Sequence, residues 1–295
     1  MSPVQKKPLF SLFGASRVGT SLAYHLTCLS WRPALLWNRS PERLAITHQY
    51  VPFQQCTTDL AVFDGRSDWL ILAVRDDALA TVTQKLSELP IDYHKKKIFH
   101  VSGFWDSEIL KPLQQRGAAT GSMHPVLSIP DIEQGIKVLK GGVFTCEGQI
   151  KKDLEQVAQQ LEGRAFLLTR EQKKVVHVAA VFLNNYTLAL IHALKKVAEQ
   201  YGLEATDFEQ IMLPTMRQVL ETGWQADVPS RITGPIARGD VETISAHLSL
   251  LAEYPPLREL YQAYLALVRQ ILPASTPAIN RSNNQHSEGV QDAKK

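Results

Sequence analysis

Cysteine is scarce in this chain. Cys28, Cys56 and Cys146 are the only three, far apart and odd in number. No disulfide framework can be drawn from them and no zinc-ligand spacing exists, so no metal site is expected and the thiols read as buried small apolar residues. An excess of one charge is also missing. The formal net charge is +3 with 21% charged residues, which points to no nucleic-acid or membrane partner. No uninterrupted apolar run reaches the roughly 18 residues of a membrane span. Met1 to Lys7 leads into strand residues rather than a signal cleavage site, so a cytoplasmic protein is expected. Apolar residues are too few to pack in the tail from Pro273, rich in Ser, Thr, Pro, Asn and Gln, which is expected to be disordered. No internal repeat is visible. Over 295 residues a hydrophobic content of 44% is enough for two domains with cores of their own.

What is present begins with Leu9 to Phe13, a short apolar run that stops at Gly14-Ala15-Ser16-Arg17-Val18-Gly19. Beyond it Val18, Leu22, Ala23 and Leu26 recur at helical spacing. Strand, tight turn and helix follow in that order. A dinucleotide-binding turn needs a first Gly where the strand bends, a second small residue where backbone approaches pyrophosphate, and a third Gly for close helix packing. Gly14 and Gly19 take the first and third places. Ser16 takes the second, with its side chain either turned from the phosphates or bonded to one. The pyrophosphate would rest on the first free amides of the helix.

The second strand, Ala34 to Trp37, ends at Asn38-Arg39-Ser40-Pro41-Glu42-Arg43. An acidic residue is absent here. NAD sites carry Asp or Glu about 20 residues past the fingerprint to bind the ribose 2′-hydroxyl, whereas an Arg suits a 2′-phosphate. Asn38 followed by Arg39 favours NADP(H), with Ser40 and Arg43 as further donors. Ser40 also fits a helix N-cap with Pro41 at the first helical position.

Val51 to Phe53 reads as a third short segment, Ser67 to Val74 as a buried parallel strand, and Lys97 to Val101 as a fifth strand ending at Ser102-Gly103. Ligands of open α/β sheets bind at the carboxyl ends of strands, which places Val74, Arg75, Asp76 and Ser102 beside the cofactor. Asp76 or Asp77 is the expected N-cap of a helix over 78–89. Ala118 to Ser122 is a further strand delivering Met123-His124-Pro125 into a loop, His124 being held extended by the proline after it. Gly141 to Cys146 and Arg164 to Leu168, bracketing a helix over 150–161, complete the sheet. The expected fold is an α/β Rossmann domain with a mostly parallel, doubly wound sheet.

From Thr169 the texture is helical. Lys173, His177, Asn184 and His192 fall close to one face at about 3.6 residues per turn, with Asn185 beside them and Val176, Leu183 and Leu190 among the apolar positions. Such a stripe lines either solvent or a site. Further helices are expected near 207–222, over 241–251 with Asp240 as cap, and over 257–272. The division expected is a dinucleotide-binding domain over 1–168, an all-α substrate and dimerisation domain over 169–272, and the tail 273–295.

Six motifs taken in order resemble one family: Phe13 to Gly19, Leu72 to Asp77, His100 to Gly103, Gly121 to Pro125, His177 to Tyr186 and Thr233 to Asp240. Its members are described as a Rossmann-like domain followed by domain of unknown function 2520. In architecture the family is similar to pyrroline-5-carboxylate and ketopantoate reductases and to 6-phosphogluconate dehydrogenase-like enzymes. The resemblance implies an NADP-linked oxidoreductase with a helical C-terminal domain, commonly a homodimer through those helices. Ser16 stands where the family usually has Gly, and Arg75, a possible extra phosphate donor, where it usually has Pro.

Hydride transfer to a carbonyl, an imine or the oxidised form of a hydroxy acid needs a proton donor at the substrate heteroatom and a dipole or cation that binds the substrate. His177 is the leading acid, Lys173 its companion, and Asn184 or Asn185 would orient the substrate. Ser102 and His124 would line the nicotinamide side, and Arg238 would clamp a carboxylate. The cleft is expected between the strands' carboxyl ends and the start of the long helix. The alternative is an NADP-binding sensor or scaffold that keeps the fold without turnover.

Overall fold

The computed structural model describes residues 7–224 and 231–272; the tail expected to be disordered lies outside them. Eight strands form one sheet: β1 (Leu9–Phe13), β2 (Arg32–Trp37), β3 (Gln55–Thr57), β4 (Trp69–Leu72), β5 (Lys97–His100), β6 (Ala119–Pro125), β7 (Val143–Gly148) and β8 (Arg164–Leu167). Their spatial order is β3-β2-β1-β4-β5-β6-β7-β8. All neighbours are parallel except β6 and β7. The order reverses direction at β1, which pairs with both β2 and β4, and such a switch point opens a crevice at the strands' carboxyl ends.

Alternation along each strand builds two cores. Phe10 and Leu12 of β1, with Trp69 and Ile71 of β4, enter one cluster together with Leu22, Ala23 and Leu26. Phe13, Leu70 and Leu72 enter the other with Leu79, Val82 and Leu86. Successive strand side chains point to opposite faces, so both faces need a helix to cover them. The covers are α1 (Arg17–Cys28), α2 (Pro41–Tyr50), α3 (Asp76–Glu88), α4 (Lys111–Gln115), α5 (Ile132–Leu139) and α6 (Lys151–Gln160). Each fully buried Leu, Ile or Phe contributes roughly 2 kcal/mol. On β1 the polar exception is Ser11, fully buried, whose hydroxyl meets that of Ser67 at 2.7 Å.

Four expectations about the first domain need correction. The third strand is Gln55–Thr57, not 51–53. Val51 is the C-cap of α2 and Phe53 turns back onto its carbonyl, so both side chains plug the first core while the ladder starts later. His124 is not in a loop, because β6 runs on through Pro125 and pairs His124 with Thr145 of β7. The extended backbone that proline imposes is used inside the strand, and β5 pairing has already stopped at Ser122, where a missing N–H costs no ladder bond. The N-cap of α3 is Arg75, whose side chain does not cap the helix amides, and Asp76 and Asp77 sit in the first turn, where negative charge suits the helix dipole. Of the cysteines, Cys146 is buried, whereas Cys28 and Cys56 are exposed.

The helical part comprises α7 (Arg170–Ala180), a π-helical segment Val181–Tyr186, α8 (Thr187–Gln200), α9 (Ala205–Thr222), α10 (Pro235–Arg238), α11 (Val241–Leu250) and α12 (Pro255–Ile271). A capping box between Thr169 and Gln172 starts α7, and the Asp240 side chain accepts from the Thr243 amide to start α11. By internal contacts the chain divides into two compact units, 1–187 and 188–295, so α7 and the π segment belong with the sheet. Within the second unit Ile236, Leu265 and Val268 form a small buried cluster. The helical run Arg170–Gln200 is long and apolar enough, by length and composition, to cross a membrane, although its polar interruptions hid it from a search for continuous apolar runs. Those interruptions include His177, Asn184 and Asn185.

Candidate active site

Two constellations lie at the carboxyl ends of the strands in the first unit. The first surrounds the turn after β1. Gly14 has φ +104°, and a Cβ there would stand 2.5 Å from the Ala73 backbone; a Cβ on Gly19 would stand 2.4 Å from the Ala73 methyl. Both glycines are therefore demanded by the close approach of turn and helix to the end of β4. Ser16 is the N-cap of α1, its hydroxyl accepting from the Gly19 amide at 3.1 Å. Its side chain is thus turned to its own helix, and the amides of Arg17 and Val18 remain without intrahelical acceptors.

Asn38, in the position an acidic residue would take, acts as a strut. Its Oδ1 accepts from the Ala15 amide at 3.2 Å and its Nδ2 donates to the Ser40 carbonyl at 3.2 Å, tying the loop after β2 to the glycine turn. Ser40 caps α2 by accepting from the Arg43 amide. A cavity of about 620 Å³ opens between these loops, lined by Ala15, Ser16, Asn38 and Val74 and by the arginines 17, 39, 43 and 75. Arg17 spends donors on the Ile129 and Pro130 carbonyls, and Arg75 pairs with Asp77 at 3.1 Å. An adjoining cavity of about 670 Å³ shares Trp37 and Arg39 and runs along Thr58 to Leu60 and α3. Four guanidinium groups around one cavity suit a ligand carrying several phosphate charges.

The second constellation lies beyond β5 and β6. Lys173 on α7 is 1% exposed, and its ammonium donates to the Ser102 carbonyl at 2.6 Å and the Gly103 carbonyl at 3.0 Å. Burial pulls its pKa down to about 8, against the raising effect of Glu147, Asp76 and Asp106. The Ser102 hydroxyl accepts from the Trp105 amide, so the loop is held from both ends. His124 Nδ1 bonds the Val101 carbonyl at 3.0 Å; burial lowers its pKa to about 4, the Lys173 and His177 charges adding to the effect. The His124 and His177 rings stand 5.7 Å apart, edge to face, and the Phe104 ring lies 6.1 Å from that of His177. Burial and then the Lys173 charge also lower the His177 pKa. Gly103 makes the convergence possible, since a Cβ there would meet His177 Nδ1 at 2.2 Å and His124 Nε2 at 2.8 Å.

The structure thus brings together Lys173, His177, His124 and Ser102. Asn184 and Asn185 lie in the π segment and are exposed, as are their neighbours Phe182, Leu183 and Tyr186. Arg238 ends α10 in the second unit and is exposed.

Sequence reading missed Glu147, 3% exposed in β7. It accepts from the Ser107 amide and hydroxyl, each at 2.8 Å, and from Ser122 at 3.3 Å. It also missed Asp106, which pairs with Lys174 at 2.9 Å. A lone carboxylate in an alternating strand gives no local sign of what it will meet.

A family model for a Rossmann-like domain matches residues 5–125, and one for a domain of unknown function, DUF2520, matches 143–269. The chain is a Rossmann-like plus DUF2520 protein. No relative among curated proteins matches it. Among solved structures, this Rossmann-like plus DUF2520 chain is similar to a Bacteroides fragilis protein described as a candidate NADP oxidoreductase, at 24% identity and TM-score 0.73, covering 90% of this chain and 98% of that one. It is similar to a reductive aminase from Aspergillus terreus, solved with NADPH4, cyclohexanone and allyl amine, at 16% identity and TM-score 0.67, covering 90% and 95%. A pyrroline-5-carboxylate reductase from Coxiella burnetii follows at 18% identity and TM-score 0.54, covering 91% and 100%. The likeness is one of fold.

Proposed function

We propose that the protein is an NADP-dependent oxidoreductase acting on a small carbonyl, imine or hydroxy-acid substrate. The observation that carries this reading is the cavity ringed by Arg17, Arg39, Arg43 and Arg75 at the glycine turn, with no carboxylate at Asn38 to repel a 2′-phosphate. Two of the fold's neighbours, one solved with NADPH4 and one with NADP+, support it, and a variant of the second was solved with NAD+. Gly14 to Gly19 would admit the pyrophosphate, and Arg39 and Arg43 would hold the 2′-phosphate. NADPH, when bound, supplies the hydride. Lys173 fixes the Ser102–Gly103 backbone, while His124 and His177 face the substrate, His177 managing its proton. The test is a pair of fluorescence titrations: NADPH binds more tightly than NADH, and Arg39→Ala weakens NADPH about tenfold, a loss of about 1.4 kcal/mol, while leaving NADH unchanged. Equal affinity for the two nucleotides overturns the assignment.

The same reading includes a soluble, cytoplasmic homodimer joined through the helical domain. Exposed Phe182, Leu183 and Leu188 on one helical run, and Ile211, Val219 and Leu220 on α9, are apolar surface that a second copy would cover. Light scattering at micromolar concentration is expected to give twice the chain mass. A monomer mass refutes the assembly.

A further inference from the structure

Arg17, the first residue of α1, serves two neighbours. It lines the cavity of about 620 Å³ at the glycine turn and also a second one of about 480 Å³ bounded by Pro130, Asp131 and Ile132. Its Nη1 donates to the Ile129 carbonyl at 3.3 Å and the Pro130 carbonyl at 2.6 Å. Those carbonyls belong to the loop that leaves β6 directly after His124 and Pro125. The loop is anchored at its ends, where the Val126 amide bonds the Val143 carbonyl and the Asp131 side chain caps α5. Over 127–130 between them, the only hydrogen bonds among the described residues are those from Arg17. The helix beyond does not depend on Arg17. Ser21 and His25, one and two turns further along the same face of α1, bond the Ile132 carbonyl at 3.3 Å and the Ile136 carbonyl at 2.8 Å. A Cβ on Gly135 would stand 2.3 Å from the Ser21 hydroxyl, so α5 is packed against α1 while the loop before it hangs on one exposed guanidinium.

A guanidinium carries five N–H donors in one rigid fork, and Nη1 supplies only two of them. Nε and Nη2 meet no acceptor among the described residues, so they are open to an anion. The anion site beside them is the start of α1, whose free amides and dipole favour a phosphate group. From this placement, and resting on the nucleotide reading above, we infer that Arg17 is a positioning residue that ties the loop after His124 to the occupied phosphate site. It holds the cofactor's pyrophosphate through Nε and Nη2 and the Ile129 and Pro130 carbonyls through Nη1. A solvated guanidinium gives up a carbonyl to water at little cost, whereas one fixed by a charge-assisted bond to phosphate does not. The continuation of the strand that carries His124 therefore closes when the cofactor arrives.

The test is limited chymotrypsin digestion of the full-length protein, with cleavage after Leu127 followed by mass spectrometry. Cleavage needs local opening, so its rate reads the population of opened loop. Saturating NADPH or inorganic pyrophosphate is expected to slow it about tenfold, and adenosine 2′-phosphate, which carries no pyrophosphate, less than about twofold. Arg17→Ala is expected to be cut about fivefold faster than the parent without ligand, and to lose the slowing at NADPH concentrations that fluorescence shows to be saturating. Arg43→Ala removes an arginine that lines both cavities without bonding the loop, and it is expected to keep the slowing. Equal slowing in Arg17→Ala, equal cutting of that variant and the parent without ligand, or stronger protection by adenosine 2′-phosphate than by pyrophosphate overturns the proposal. NADPH binding without protection of the loop sinks the coupling alone. Protection by pyrophosphate in a protein that binds no NADPH sinks the oxidoreductase reading alone.

Discussion

At the β1–β2 end of the sheet's carboxyl edge, four arginines surround an open cavity, and most of them keep their charge in water. At the β5–β6 end the groups are imidazoles kept neutral by burial, above one ammonium already bonded to two carbonyls. The first end can select for charge at little structural cost, because solvated guanidinium groups need no desolvation before a phosphate arrives. The second holds neutral imidazoles in place through burial and backbone contacts, which demands a rigid backbone. That rigidity is supplied by Val101, Gly103 and Lys173 rather than by the histidines themselves.

The sharpest way to separate the two ends is His177→Ala. It is expected to lower any turnover found in a carbonyl and imine screen by about 100-fold or more, with NADPH affinity and unfolding midpoint unchanged. Full activity in that variant would break the comparison and move the proton-handling role to His124. Next comes Gly14→Ala, whose methyl would be driven into the Ala73 backbone from a positive φ. A loss of about 4 kcal/mol in urea unfolding is expected, the sum of backbone strain and overpacking. An unfolding free energy within error of the parent would show that turn and strand can separate freely.

The smallest effect is on acid stability. His124 has a folded pKa of about 4, below the ordinary histidine value of 6.5, so the unfolded chain binds its proton first as pH falls. The stability it contributes is full above pH 6.5 and is lost between 6.5 and about 4, on the order of 3 kcal/mol. His100, lowered to about 3 by burial, adds to the loss in the same direction. His124→Phe should flatten that part of a stability-against-pH curve measured by urea unfolding. An unchanged slope would place the His124 ring in water.

The glycine turn was legible in the residues because its requirements are local. Gly14 and Gly19 mark a bend and a contact that only glycine permits, and the strand before can be read from a short apolar run and the helix after from a period of about 3.6. The same locality made Ser40 legible as a cap. Asn38 and Ser16 were legible in position but not in use, since whether a side chain faces a ligand, a neighbouring loop or its own helix depends on rotamers that spacing does not specify. The polar stripe was half legible: Lys173 and His177 lie one turn apart, a spacing that survives, whereas Asn184 and Asn185 come after the onset of the π segment.

The sequence by itself determined the order of strands and helices, the doubly wound character of the sheet, the glycine turn and the cationic loop after β2. Each of these follows from burial patterns and backbone conformational limits within a few neighbouring residues. Only the tertiary structure decided that β6 runs on through His124 to pair with β7, that Gly103 leaves the gap where two imidazoles converge, and that Glu147 lies buried against Ser107. Those facts join residues from β5, β6, β7 and α7 that are far apart in the chain. The orientation and protonation of such groups are set by the backbone carbonyls and the burial they meet after the chain has closed on itself.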